Sequence, residues 1–275
     1  MANYSPLRYP GGKAKLYSMI KEIIYNNNLK GCTYVEPFAG GAGLALNLLF
    51  KGDVDKLILN DFDRSIYAFW YCCLYYTDEF IKLINETPVN LENWQEQRLY
   101  QKDKDNVDLL TLGFSTFYLN RTNRSGIIKG GIIGGQSQTG KYKLDCRFNK
   151  VNLIYRIREI QKYANKISIH NLDAVELINS YLKDMETNSF TFFDPPYYHK
   201  AQGLYTNFYN HNDHIDLKNK IIEAMRTHYI ITYDNADEIV DIYSEMDSLC
   251  YDISYSATVK RKEKEIMIYS NLLKV

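Results

Sequence analysis

Two periods alternate along this chain. Short apolar runs of strand length occur at Tyr34-Val35, 56–60, 167–169, 189–193, 229–232 and 265–269. Between them lie stretches whose apolar residues recur at helical spacing, as in Leu44-Ala45-Leu46-Asn47-Leu48-Leu49 and Leu153-Ile154-Tyr155-Arg156-Ile157. Strands alternating with helices predict an α/β fold with a doubly wound parallel sheet. From Ser65 to about Asn120 the helical pattern runs on without a strand, through Ile66-Tyr67-Ala68-Phe69-Trp70, Phe80-Ile81-Lys82-Leu83-Ile84 and Leu109-Leu110-Thr111-Leu112. This block reads as an inserted, mostly helical region whose apolar stripes are core.

Two of the strands end in chemistry. Phe192-Phe193-Asp194-Pro195-Pro196-Tyr197 joins a carboxylate, a rigid turn and an aromatic ring directly after an apolar run. Two consecutive prolines fix φ and donate no backbone hydrogen bond, so the strand stops and its acceptors converge. An exocyclic ring amine is a poor nucleophile until its hydrogens are accepted. Asp194 and the carbonyl of Pro195 suit that task, and Tyr197 supplies a face for a base removed from a duplex stack.

The first strand ends in Glu36-Pro37-Phe38-Ala39-Gly40-Gly41-Ala42-Gly43 and passes into a helix. Glycines there allow close backbone approach, and the helix start offers free N–H groups. The second strand ends at Asp61, about 20 residues on, where doubly wound folds hold ribose hydroxyls. The spacing fits nicotinamide dinucleotides as well as S-adenosylmethionine. The turn lacks the G-x-G-x-x-G order and a cation for a pyrophosphate, which favours a cofactor without phosphates.

In motif order the chain resembles the Dam-type DNA adenine-N6 methyltransferases, in which the cofactor motif precedes a target-recognition region and Asp-Pro-Pro-Tyr follows it. The N-terminal Pro6-Leu7-Arg8-Tyr9-Pro10-Gly11-Gly12-Lys13 is similar to that family's aromatic-x-Gly-Gly-Lys element, with Tyr9 where the family often has Trp. The resemblance implies a Rossmann-like methyltransferase sheet formed by residues 1–62 and 163–275, and a target-recognition insertion over 63–162. It implies S-adenosylmethionine as cofactor, with Tyr9, Lys13, Glu36, Phe38, Gly40, Asp61, Asp173 and Asp194 around it. Asp194, Pro195 and Tyr197 become the catalytic set. Double-stranded DNA becomes the partner, and a restriction endonuclease is a further counterpart to look for. An RNA or protein-amide methyltransferase and a catalytically silent DNA-binding subunit are the alternatives.

Charge changes the picture only through its placement. The 275 residues balance at net zero, yet Arg121, Arg124, Lys129, Lys141, Lys143, Arg147 and Lys150 stand against the single acid Asp145 between Asn120 and Lys150. One basic segment can dock a duplex through its phosphates while acids elsewhere keep net charge low. Its glycines predict a hairpin that follows a groove, with Asn120, Arg121, Arg124, Lys141 and Lys143 as DNA contacts; Arg pairs with guanine and Asn with adenine. Gln136-Ser137-Gln138-Thr139 stands where the family often carries Asn-Val-Pro, so the target sequence stays open.

The remaining features add bounds. Asp173 opens Asp173-Ala174-Val175-Glu176, a capping-box pattern as well as a cofactor contact. His211 and His214 are two ligands where zinc needs three or four, and the five cysteines form no C-x-x-C pair, so no metal site is expected. A stretch from Tyr205 to Tyr209 is a candidate lid. No run approaches the roughly 20 apolar residues of a membrane span, and no signal-peptide pattern opens the chain, which predicts a cytoplasmic protein.

Overall fold

The computed structural model describes residues 4–199, 209–255 and 261–275, with the side chains of 253–255 and 261–263 left out of the description. Seven strands form one mixed sheet: β1 (Thr33–Glu36), β2 (Lys56–Asn60), β3 (Ile167–His170), β4 (Ser189–Phe193), β5 (His228–Asp234), β6 (Ser248–Tyr255) and β7 (Arg261–Tyr269). Their spatial order is β3-β2-β1-β4-β5-β7-β6, parallel through β5 and antiparallel for β7 and β6. The α/β class expected from the pattern, and the Rossmann-like sheet implied by the resemblance, are therefore the fold, with antiparallel β7 and β6 departing from an all-parallel sheet. The final strand starts earlier than its apolar run, at Arg261, and β6 is an additional edge strand whose apolar residues are broken up by Asp252 and Ser254.

Alternation along each central strand feeds two cores. Tyr34, Phe190, Phe192 and Ile230 join the core shared with α1 (Tyr17–Asn26) and α2 (Gly43–Phe50). Val35, Phe193 and Ile231 join the opposite one with α8 (Ala174–Ser180), α9 (His211–Ala224) and α10 (Asp237–Ile242). Both faces are covered, which is why the parallel strands are apolar on both sides.

Between β2 and β3 the chain makes α3 (Arg64–Tyr75), α4 (Thr77–Glu86), α5 (Leu91–Lys102), α6 (Leu109–Thr122) and α7 (Lys150–Gln161). Asp63, Asn90, Asp108 and Asn149 cap α3, α5, α6 and α7 through their side chains. Phe69, Phe80 and Phe117 interlock between these helices at centroid distances of 5.5–6.1 Å. Their core is continuous with that of the sheet, since Trp70 and Phe117 cluster with Leu57 and Phe190. The glycine-rich stretch expected to be a hairpin forms no strand pair beyond a single bridge, Asn123 to Ile132, and is otherwise a chain of turns. Asn123 anchors it instead, donating to the carbonyls of Ile127 and Ile128. Among the described residues no helix is long and apolar enough to cross a membrane.

Candidate active site

Strand order reverses between β1 and β4, because β2 and β3 lie on one side and β5 on the other. The crevice beyond the carboxyl ends at such a point is where open α/β sheets bind ligands. A cavity of about 500 Å³ opens there. Tyr9, Phe38, Asp61, Asp173, Asp194 and Asn120 line it, so the four widely separated motifs meet at one place.

The glycine turn is shaped by Tyr9. A Cβ on Gly40, whose φ is +46°, would sit 2.6 Å from the Tyr9 ring, and one on Gly41 would sit 2.7 Å from Tyr9 Cβ. Only glycine fits beneath that ring. Asp61 ties the turn to β2, accepting from Gly40 N at 2.8 Å and from Asp63 N at 2.9 Å. Burial, reinforced by Asp63, raises the Asp61 pKa to about 7. Trp70 donates its indole N–H to the Gly40 carbonyl at 2.9 Å. Glu36 lies deeper, accepting from Tyr34 Oη and from Ala45 N in the first turn of α2, both at 3.1 Å. Burial pushes its carboxyl up to about 8.

At the β4 corner, Lys13 Nζ pairs with Asp194 Oδ1 at 2.9 Å, and Thr232 Oγ1 donates to the same oxygen at 2.8 Å. Both donors engage Oδ1, and Oδ2 takes no hydrogen bond among the described residues. Burial raises the Asp194 pKa, with Lys13 acting in the opposite direction. Lys13 is itself buried and also donates to Gly11 O at 3.1 Å and Tyr197 Oη at 2.7 Å. Pro195 is buried behind the corner.

Three expected placements differ. Tyr197, expected to offer a stacking face, is only 6 % exposed, and Pro196 and Tyr209 stand at the cavity wall instead. Its hydroxyl satisfies Lys13 and Glu265, which draws the ring inward. Asn120 reaches the wall with its side chain saturated: Oδ1 accepts from Arg8 N, and Nδ2 donates to Arg8 O and Gly126 O. It joins the N-terminal motif to the basic loop rather than offering a base contact. Arg121 is 8 % exposed, whereas Arg124, Lys141 and Lys143 are exposed. Asp173 caps α8 through Val175 N, without a reciprocal bond from Glu176. His211 and His214 bond separately to Tyr198 and Tyr233. Of the candidate lid, Tyr209 is described and residues 205–208 lie outside the described residues. Phe62 and Leu172 at the cavity and Thr232 and Glu265 behind it belong to the site without standing in any of the sequence motifs. Phe62 is signalled by its place directly after Asp61; the others come together only where distant strands meet.

The profile of the D12 class N6 adenine-specific DNA methyltransferases matches residues 9–262, across all these motifs. The chain belongs to that family. It is therefore an adenine-specific DNA methyltransferase that moves a methyl group from S-adenosylmethionine to N6. Type II methyltransferase M.MjaIII of Methanocaldococcus jannaschii is 25 % identical over 207 residues, 70 % of this chain and 68 % of the relative. Among solved structures, the rRNA methyltransferase aviRa from Streptomyces viridochromogenes aligns with 95 % of this chain and 86 % of its own, at 12 % identity and a TM-score of 0.43. The methyltransferase SMU.1697c from Streptococcus mutans, in complex with SAH, aligns over 90 % and 97 %, at 10 % identity and a TM-score of 0.33.

Proposed function

We propose that this methyltransferase flips an adenine out of duplex DNA into the β1/β4 cavity and holds its N6 at Asp194. The observation that carries this reading is the division of labour on the Asp194 carboxylate. Oδ1 is held by Lys13 and Thr232, and Oδ2 is left for a substrate hydrogen in a residue that lines the cavity. As Oδ2 accepts one N6 hydrogen, with the Pro195 carbonyl as the second acceptor, the nitrogen lone pair leaves ring conjugation and becomes nucleophilic. N6 would then take the methyl group by direct displacement, the N–C bond forming as the S–C bond breaks, with the donor leaving as a neutral thioether and the surplus N6 proton passing through Asp194 Oδ2 to solvent; rate would derive from positioning and electrostatics.

The donor set fits S-adenosylmethionine. The glycine turn under Tyr9 leaves room for close backbone approach, Asp61 suits ribose hydroxyls, and Phe38, Phe62 and Leu172 supply apolar walls for adenine. Bound there, the cofactor supplies an electrophilic methyl group on a sulfonium. Glu36 and Gly40 act from beneath, Glu36 by holding the start of α2 and Gly40 by its fold; Asp173 lines the far wall.

Residues 63–162 are assigned to target recognition and the flanking segments to catalysis. Phosphate docking finds support in a cluster of arginines. Arg121 is nine-tenths buried, its Nε has no hydrogen-bond partner, and burial together with Arg156, Arg8 and Arg147 lowers its pKa to about 9. Arg8 and Arg156 are held nearby by the carbonyls of Asn123 and Ser5. None of the four pairs with a carboxylate among the described residues. Since an uncompensated buried charge costs several kcal/mol, a DNA phosphate is the natural counter-ion. Arg124, Lys141 and Lys143 extend this surface outward, Arg124 toward base edges. A cytoplasmic setting follows from the substrate, and the Type II name of the relative supports a search for an endonuclease counterpart.

Tritiated methyl transfer to duplex DNA, duplex RNA and cell protein, followed by modified-base sequencing, tests the reading. N6-methyladenine in DNA at a repeated motif is expected. Label in RNA or protein alone overturns it.

A further inference from the structure

Glu265 is a buried charge that the chemistry above leaves unused. It lies fully buried on β7, where strand register sets it opposite Asp234 on β5 and Tyr251 on β6. Three strands thus present a polar row at this end of the sheet. Glu265 Oε1 accepts from Tyr197 Oη and Oε2 from Tyr251 Oη, each at 2.5 Å. A phenol has one proton, so giving it to Glu265 turns the Tyr197 lone pairs toward a donor. Lys13 Nζ is that donor at 2.7 Å, and it sits 2.9 Å from Asp194 Oδ1. A continuous chain therefore runs from the C-terminal hairpin to the catalytic corner. Asp234 steadies the same turn by accepting from Tyr198 N at 2.9 Å and His199 N at 3.2 Å.

We propose that Glu265 is a positioning residue for methyl transfer: through Tyr197 it fixes Lys13 on Asp194 Oδ1, so that Oδ2 faces the substrate amine, and its charge strengthens Asp194 as an acceptor. This rests on the role given to Asp194 above. A carboxylate is informative here because a neutral amide could also accept a tyrosine hydroxyl, whereas a buried charge carries a desolvation penalty. Electrostatics point the same way: Glu265 adds to burial in raising the Asp194 pKa, against Lys13 and Thr232. Among the described residues, the charged and titratable groups around this pair include Lys13, Glu36, Tyr34 and Tyr197 on the Asp194 side, and Asp234 and Tyr251 beside Glu265.

The test uses the full-length protein and Glu265→Gln. Single-turnover methyl transfer should slow by about 10- to 100-fold, with affinity for S-adenosylhomocysteine and for duplex DNA within about threefold of wild type. Loss of the neighbouring charge should move the acid limb of the pH–rate profile down by roughly one pH unit. Carbon-13 NMR titration of Asp194 in the donor-free protein should show the same downward movement, and Glu265→Asp should restore part of it. An unmoved Asp194 titration in Glu265→Gln overturns the proposal, as does a wild-type rate. Should Glu265→Gln not fold, Tyr197→Phe breaks the same chain while keeping the ring, and a wild-type rate there overturns the proposal equally. Activity lost in Asp194→Ala but kept in Glu265→Gln sinks this inference alone, whereas full activity in Asp194→Ala sinks the Asp194 reading itself.

Discussion

Asp194 and Arg121 both pair burial with charge, and opposite outcomes are expected on replacing them. Asp194→Ala removes the N6 acceptor and leaves the Lys13 ammonium without its carboxylate. Methyl transfer should fall by at least about 10²–10⁴-fold, with duplex binding within a few-fold in a mobility-shift assay. Full activity in this variant refutes the assignment. Arg121 has no carboxylate to lose, so Arg121→Met should raise the unfolding free energy of the DNA-free protein, by up to a few kcal/mol as for other buried charges replaced by apolar groups. The same variant should bind DNA more weakly, with a salt slope shallower by about one phosphate contact. A less stable protein with an unchanged salt slope would argue against an anion site. Outside the buried cluster, Arg124→Ala should relax base preference at one position, while neutralising Lys141 and Lys143 weakens all sequences alike; unaltered preference in Arg124→Ala rejects its readout role.

Elements meet at places that residue types alone do not announce. Gly113 lies inside α6, where glycine disfavours a helix by about 1 kcal/mol relative to alanine. Its reason is the crossing with α3: an added Cβ would lie 2.5 Å from Cys72 Sγ and 2.6 Å from the Ala68 carbonyl. Gly113→Ala should therefore destabilise the protein by about 1–3 kcal/mol in urea unfolding, despite its better helix propensity; a stabilised variant would show that the crossing relaxes freely. The helices around it were legible because their apolar stripes are long and periodic. The basic loop was legible as basic and glycine-rich, but its conformation was not, since Asn123 and Asn120 hold it through carbonyls contributed by turns and by the N-terminal segment. Strand β6 is not marked by a long apolar run because it is the edge strand, where Asp252 and Ser254 interrupt the apolar residues.

Across the whole molecule, zero net charge conceals a basic segment between Arg121 and Lys150 and a few buried carboxylates, Glu36 and Asp234 among them, at strand ends. Glu36 makes stability depend on pH. Its folded-state pKa of about 8 lies above the ordinary carboxylate value, so the native protein keeps a proton that the unfolded chain releases. Its stabilising contribution is complete below about pH 4.5 and is lost as pH rises toward 8. Asp61 acts in the same sense up to about 7. Glu36→Gln keeps both hydrogen bonds' acceptor and removes the titration, so urea unfolding between pH 5 and 8 should show a flatter profile than wild type. Parallel profiles would show that Glu36 does not hold its proton.

The chain by itself determined the alternation of strand and helix, the two glycine- and proline-marked strand ends, and the family, because period, turn chemistry and motif order are local properties that survive without coordinates. Only the tertiary structure decided what those motifs do to one another. Burial turned Tyr197 inward and Asn120 into a staple, and it left Arg121 among other cations. Strand pairing alone set Glu265 behind Asp194. Contacts between residues far apart in sequence depend on register and packing, and no local pattern encodes which buried charge will face which.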